Sequence, residues 1–362
     1  MFIGEAGIKS LAVAEKPVQK IFKGASLVYA AQKFLDFLIN NTSAYVSTSG
    51  SLYMCGQNNY GQQGIENTAN VKNFVKRSSN VKTVVLSADA CGYISQNNEF
   101  FLTGRNYYGQ QGNGTTTDVY AFTKKSDDVK KISVNDAVYY LTNTNDLYGC
   151  GYNAYGMMNN GTTDNTNIFS KIASNIIDFS ASTSVLACIS NDGELFTCGY
   201  GGNGAGHGSS GNIITLTKVA DNVLFVRCDG TTSFYIDKDK NLYGCGTNIK
   251  GQLGNEASGL FVYSFEKRAE NVKKVKNVSS VTWYLTETGE LYGCGQNNYG
   301  QQGDGTTNDV KIFKKRAENV VDFDVSAYST WYLTETGELY GCGYNNYGQQ
   351  GIENTANVKN FV

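Results

Sequence analysis

The sequence predicts an all-β fold, a seven-bladed β-propeller of four-stranded blades. Three observations carry this reading. A glycine-rich motif recurs seven times at nearly constant spacing; short apolar strands alternate with turn signals; and the composition holds 41 glycines and 25 tyrosines against a single proline, Pro17. So much glycine beside so little proline suits many short strands joined by tight turns with positive φ, and disfavours a disordered or collagen-like chain.

The motif reads Leu-Tyr-Gly-Cys-Gly-x-Asn-x-Tyr-Gly-Gln-Gln-Gly in its fullest form. Its central glycine stands at Gly56, Gly104, Gly151, Gly199, Gly246, Gly295 and Gly343, a period of about 48 residues. A regular period of this size means one supersecondary unit stacked many times, and about 40–50 residues is the length of a four-stranded propeller blade. The seventh unit shows the strands in order: Val320 to Val325, then Thr330 to Thr334, a turn at Glu335 to Gly337, Glu338 to Cys342, and Val358 to Val362. Each is short and apolar enough for a strand, and the units lack long stretches at helical spacing. The first strand of the first unit is Phe34 to Leu38, so the propeller occupies residues 33–362. Asn345 to Val362 repeats Asn58 to Val75 letter for letter, and Trp283 to Gly295 recurs as Trp331 to Gly343, as recent duplication would leave them.

The motif itself is read as structural. Its glycines permit chain reversal and close backbone approach, while its Asn and Gln side chains can bond to loop amides and carbonyls. A phosphate-cradling loop would need a helix start and a Lys-Ser/Thr pair after the glycines, and neither follows. These residues resemble the repeat of the regulator of chromosome condensation family over residues 33–362, which implies a closed seven-bladed propeller. Two departures mark this chain: Gly-Gln-Leu-Gly, usual in the family, stands only at Gly251 to Gly254, and the histidine usual near the second strand is absent.

Catalytic chemistry is hard to assemble from this sequence. The single histidine, His207, lies in an irregular glycine-rich loop and reads as solvated. Glu194, Glu290 and Glu338 recur beside turns and offer no acid and base pair. Segments such as Asp304 to Asp309 match a calcium loop only loosely. Cys55, Cys150, Cys198, Cys245, Cys294 and Cys342 each precede a motif glycine, but Thr103 fills that slot in the second unit, so the thiols read as buried core groups. Cys91, Cys188 and Cys228 are given the same reading. No enzyme activity, cofactor or metal is expected. The net charge of -2 supplies no positive field for nucleic acid, and no stretch approaches the ~18 apolar residues of a membrane span or forms a signal peptide.

Binding is sought where the units differ. At one place in the second strand they carry Ala44, Gly92, Tyr139, Ala187, Phe234, Trp283 and Trp331, while the next residue is Tyr in all but one. Tyr139, Phe234, Trp283 and Trp331 are therefore the candidate partner-binding residues, large rings suited to anchoring, with burial between blades as the other reading. Tyr60, Tyr108, Tyr155, Tyr299 and Tyr347 share one loop position and form a second candidate, read chiefly as packing.

Residues 1–32 carry no repeat motif. Lys20 to Tyr29 reads as two short strands across a Lys-Gly turn and resembles a segment near the start of phage tail and fibre proteins, with Phe22 in a tyrosine slot. It would dock to another protein or add an edge strand to the propeller. The functional expectation is a non-catalytic macromolecule-binding propeller, with a phage or prophage structural or adhesion component as the setting this resemblance implies. The partner would be a protein or a cell-surface glycan. The alternatives are a soluble protein inhibitor of an enzyme, as in propellers resembling the secreted β-lactamase inhibitor, and nucleotide exchange on a small GTPase, as in the family's namesake. Virion-associated and cytoplasmic locations both fit, and the sequence leaves oligomeric state open.

Overall fold

The computed structural model describes residues 20–23, 26–30, 34–39, 42–256 and 259–362, the first three spans as backbone alone. Seven antiparallel sheets follow one another in chain order, each with its strands side by side in sequence order. Blade 6 is representative, with strands Val272–Val278, Val281–Thr286, Leu291–Gly295 and Val310–Ala317. Blades 1 to 5 span residues 34–78, 81–126, 129–173, 176–220 and 223–269, and blade 7 spans 320–362. In blade 7 the segment expected as the outer strand is held at its two ends. Val358 N and O bond to Gly343, and Val362 N and O bond to Gly341.

Each sheet buries two columns. The nearly invariant tyrosine of the second strand stacks on the aromatic of the third and meets a phenylalanine of the outer strand edge-on. In blade 6 this trio is Tyr284, Tyr292 and Phe313, with ring centroids 4.8 Å apart in both contacts. Leucines at the start of the third strand face the next blade, as Leu52 does toward Val81 and Val84. Burying one such side chain contributes about 1.5–3 kcal/mol, so this repeated packing supplies most of the driving force.

Near the axis the first strands join neighbouring blades through ion pairs. Lys131 pairs with Asp178, Lys274 with Asp322, and Lys276 with Asp324. Lys276 and Asp324 are almost wholly buried, so each charge depends on the other for compensation. On the outside, lysines mark the edge strands and hinder pairing with foreign strands. Lys124, Lys171, Lys218 and Lys315 each reach an acidic group beside the turn between second and third strands: Glu99, Asp146, Glu194 and Glu290. Of the turn-adjacent carboxylates of the sequence, Glu194 and Glu290 are thus surface ion-pair partners, worth about 0–1 kcal/mol each, while Glu338 accepts from Thr336 Oγ1 at 3.0 Å.

Eight of the nine cysteines are buried and Cys55 is partly buried, all as free thiols. Burial raises Cys198 and Cys228 to about 12, which keeps them protonated and unreactive. The hairpin expected near the amino terminus is present as strands Lys20–Lys23 and Ser26–Ala30, paired antiparallel. Gly24, and residues 1–19 with it, lie outside the described residues.

Candidate binding face

The structure moves the candidate surface away from the variable rings of the second strand. Tyr139, Phe234 and Trp283 are 0% exposed and Trp331 is partly buried. Their variation follows volume. Each position pairs across the sheet with a residue of the third strand, and the pairs are Ala44 with Met54, Gly92 with Leu102, Tyr139 with Gly149 and Ala187 with Thr197. The remaining blades pair Phe234 with Gly244, Trp283 with Gly293, and Trp331 with Gly341. A large ring always faces glycine, and a small residue faces a larger one. A Cβ on Gly293 would lie 2.6 Å from the Trp283 ring, so the glycine is required by the ring that covers it. Tyr139, Phe234 and Trp283 fill the space between blades and leave no broad face for a partner, and Trp331 lies partly buried over Gly341.

The aromatic surface lies instead on the face formed by the loops between third and outer strands. Tyr60, Tyr108 and Tyr155 stand at the same loop position of blades 1 to 3, and Tyr152 and Tyr200 directly follow the motif glycine of blades 3 and 4. They make a continuous arc. Arg105 lies over Tyr60 at 5.2 Å and over Tyr107 at 5.5 Å; Tyr107 meets Tyr108 at 4.8 Å, and Tyr108 meets Tyr152 at 5.0 Å. Tyr155 continues it, 6.1 Å from Tyr152 and stacked at 5.5 Å on Tyr200. A second arc joins Tyr299, Tyr328, Tyr344 and Tyr347 on blades 6 and 7, with centroids 5.2 to 6.2 Å apart. Blade 5 interrupts them with Thr247 and Lys250, the latter paired to Asp309. Tyr107 is 65% and Tyr347 60% exposed, so both present most of a ring to solvent.

The motif holds these rings in place. Its Asn accepts from the amide five residues on, as Asn297 Oδ1 does from Gln302 N at 2.8 Å. The first Gln then accepts from the amide of the loop tyrosine itself. Gln62 does so from Tyr60 N at 3.0 Å, Gln110 from Tyr108 N at 2.9 Å, Gln301 from Tyr299 N at 2.9 Å and Gln349 from Tyr347 N at 3.0 Å. Gly151, at φ +103, lets the chain leave the third strand where a Cβ would fall 2.5 Å from Asp136 O. Rings carried on backbone fixed in this way lose little freedom on binding.

Charge on this face is local. Arg105 bonds Asp89 at 2.9 Å, and burial pushes the nearby Asp136 carboxyl upward while Arg105 opposes the shift. The arc therefore offers aromatic faces, phenol hydroxyls and one cation over two rings, a set suited to a ligand with both apolar and hydrogen-bonding surface. His207 is not on this face as a solvated ring. Its Nε2 lies 2.9 Å from Thr197 Oγ1, and burial lowers its pKa. Among the described residues, no three His, Cys, Asp or Glu side chains gather as metal ligands.

Sequence reasoning had the repeated tyrosines in view but read them as packing. It missed Tyr107, Tyr152, Tyr200, Tyr328 and Tyr344. The available signal was an aromatic residue directly after the motif glycine in units three, four and seven.

A model of the Regulator of chromosome condensation (RCC1) repeat matches residues 320–349. Prp20p from Saccharomyces cerevisiae superposes with a TM-score of 0.69 at 14% identity, covering 88% of this chain and 87% of that one. The fold is an RCC1-like propeller. Yeast RCC1 (Prp20) bound to Kap60 gives 0.67 at 15% identity over 85% and 82% of the two chains. Human WBSCR16 gives 0.62 at 19% identity over 78% and 81%. Prp20p is described with its binding to Gsp1p and histones. No curated protein matches the chain. At these identities the RCC1-like propeller shares architecture with its neighbours, and its own loops decide what it binds.

Proposed function

We propose that this RCC1-like propeller is a non-catalytic binding module that engages a macromolecule through the tyrosine face of blades 1 to 4. The observation that carries the reading is the unbroken run from Tyr60 through Arg105, Tyr107, Tyr108 and Tyr152 to Tyr155 and Tyr200. Tyr and Arg dominate binding hot spots because they combine broad contact area with hydrogen bonding. The expected partner is a surface protein or a glycan. The setting is a phage or prophage particle, with residues 1–32 docking to the particle and the propeller face turned outward. The paired strands Lys20–Lys23 and Ser26–Ala30 support that division of labour, since they form a sheet separate from the blades.

The test is a binding screen of the full chain against a bacterial glycan array and against intact bacterial cells, run beside a Tyr107→Ala, Tyr155→Ala variant. Capture that falls at least tenfold in the variant, with unchanged thermal stability, supports the assignment. A ligand held equally by both proteins would place the binding surface elsewhere.

A further inference from the structure

The lysines of the first strands follow one rule. Lys131 donates to Asp178 and to Phe179 O of the next blade, and Lys274 donates to Asp322 and to Phe323 O. Lys276 donates to Asp324, whose carboxylate also accepts from Val325 N. In each of the three pairs, the cation of one blade meets an aspartate at the same strand position of the following blade.

Arg227 breaks the rule. The register sets Arg227, Lys276 and Asp324 at one strand position in blades 5, 6 and 7, opposite Phe234, Trp283 and Trp331 in turn. Arg227 reaches forward as the lysines do, and its Nε and Nη2 donate to Asn277 O, beside Lys276, at 3.4 and 3.5 Å. What stands in the aspartate's place is Lys276, already committed to Asp324. Among the described residues, Arg227 makes no ion pair. Asp229 and Asp324 act on it only at a distance. Asp229 Oδ1 is turned to the amides of Thr231 and Thr232, and its buried Oδ2 accepts nothing. Two of the five guanidinium donors are therefore used, both on one carbonyl and both at the long limit.

At this strand position two cations face one carboxylate. Burial lowers the pKa of both, Asp324 opposes the shift at each, and Arg227 adds to it at Lys276. Lys276 is 8% exposed, whereas Arg227 is only partly buried and open to a ligand. A sequestered cation without a counter-charge is costly, and one further negative charge completes the set. The flat guanidinium presents paired N–H groups that match the two oxygens of a carboxylate, the group that answers the cation in all three regular pairs.

We propose that the Arg227 guanidinium, facing Lys276 near the propeller axis, is a binding site for a small free monocarboxylate. The ligand's oxygens take guanidinium donors that the chain leaves unused, and its charge stands in for the aspartate that blade 6 lacks. The site is separate from the tyrosine face and does not rest on the role given to that face.

Acetate is the probe, and the full chain is used throughout. In low-salt buffer near neutral pH, saturation-transfer NMR should show the acetate methyl receiving magnetisation from the protein, with a loss of at least tenfold in Arg227→Gln. The melting temperature should rise by about 2 °C in about 100 mM acetate. Chloride of the same ionic strength should raise it less, and acetate should leave the variant unmoved. Without acetate, Arg227→Gln should melt no lower than the parent, because glutamine removes a charge that opposes Lys276. A variant that unfolds, or melts well below the parent, would mean that the chain itself satisfies Arg227 and would overturn the proposal. So would a parent that takes up no acetate, or acetate held equally by both proteins. An equal rise in chloride would overturn the carboxylate as the ligand class. Capture of a macromolecule through Tyr107 and Tyr155 is read separately, so either site can fail alone.

Discussion

The second-strand column and the loop rim carry similar aromatic residues to opposite ends. In the column, ring size changes from blade to blade, from Gly92 to Trp283, and the rings are buried. On the rim, tyrosine recurs at one loop position, partly buried at Tyr60, Tyr108, Tyr155 and Tyr299 and mostly in solvent at Tyr347, and Tyr107, particular to blade 2, stands mostly in solvent beside it. Variation in the second-strand column therefore marks paired volumes, while the recurrent loop tyrosine marks a shared loop geometry. In a stacked repeat, a position can vary freely in size when its partner across the sheet varies with it. A loop tied by an Asn and a Gln instead repeats one geometry, and whatever it carries is displayed in the same way on each blade.

Trp283→Ala should break the column most severely, with a loss of about 3–5 kcal/mol in denaturant unfolding from the cavity beneath it. Adding Gly293→Met to that variant rebuilds the Ala44 and Met54 pairing of blade 1 and should recover a substantial part of the loss. A double variant no more stable than the single one would refute volume pairing. Asn297→Ala attacks the rim at its support. It leaves the Gln302 amide without its acceptor, and a cost of about 1–3 kcal/mol is expected in the same measurement. Tyr107→Ala removes only presented surface. Its unfolding free energy should stay within about 0.5 kcal/mol of the parent, while ligand capture falls about tenfold, equal to about 1.4 kcal/mol.

The smallest expected effect concerns pH. Burial lowers His207 below its ordinary value of 6.5, so the unfolded chain takes up this proton before the folded one does. Its contribution is full above pH 6.5 and is lost as pH falls from there through the lower folded value. Thermal melts between pH 7 and pH 5 should show a shallower decline in His207→Gln than in the parent.

The architecture was legible because its signal is periodic. The seven glycines Gly56 to Gly343, the strand Val320 to Val325 and the paired strands about Lys20 to Tyr29 all rest on local pattern, which needs no tertiary information. The role of the motif Asn and Gln as loop ties was readable for the same reason. The binding face was not. Trp283 and Tyr107 each stand directly before another tyrosine, Tyr284 and Tyr108, and what separates them is a glycine across the sheet in one case and open loop in the other. Cross-strand register supplies the first fact, since Trp283 faces Gly293 only once the hairpin length is known. The ion pairs near the axis were equally hidden, because Lys276 and Asp324 lie about one full repeat apart and meet only when blades 6 and 7 stand side by side.

The pairing of ring and glycine is settled inside a single hairpin, so each blade brings its own solution for interior volume. Such a blade is a portable cassette. The shared string at Trp283 to Gly295 and Trp331 to Gly343 shows one hairpin serving in two neighbouring positions with its packing carried along. Recombination between such strings can change what the rim displays while keeping each ring with the glycine it covers. A propeller of this kind can diversify its surface at the rate its genes exchange segments.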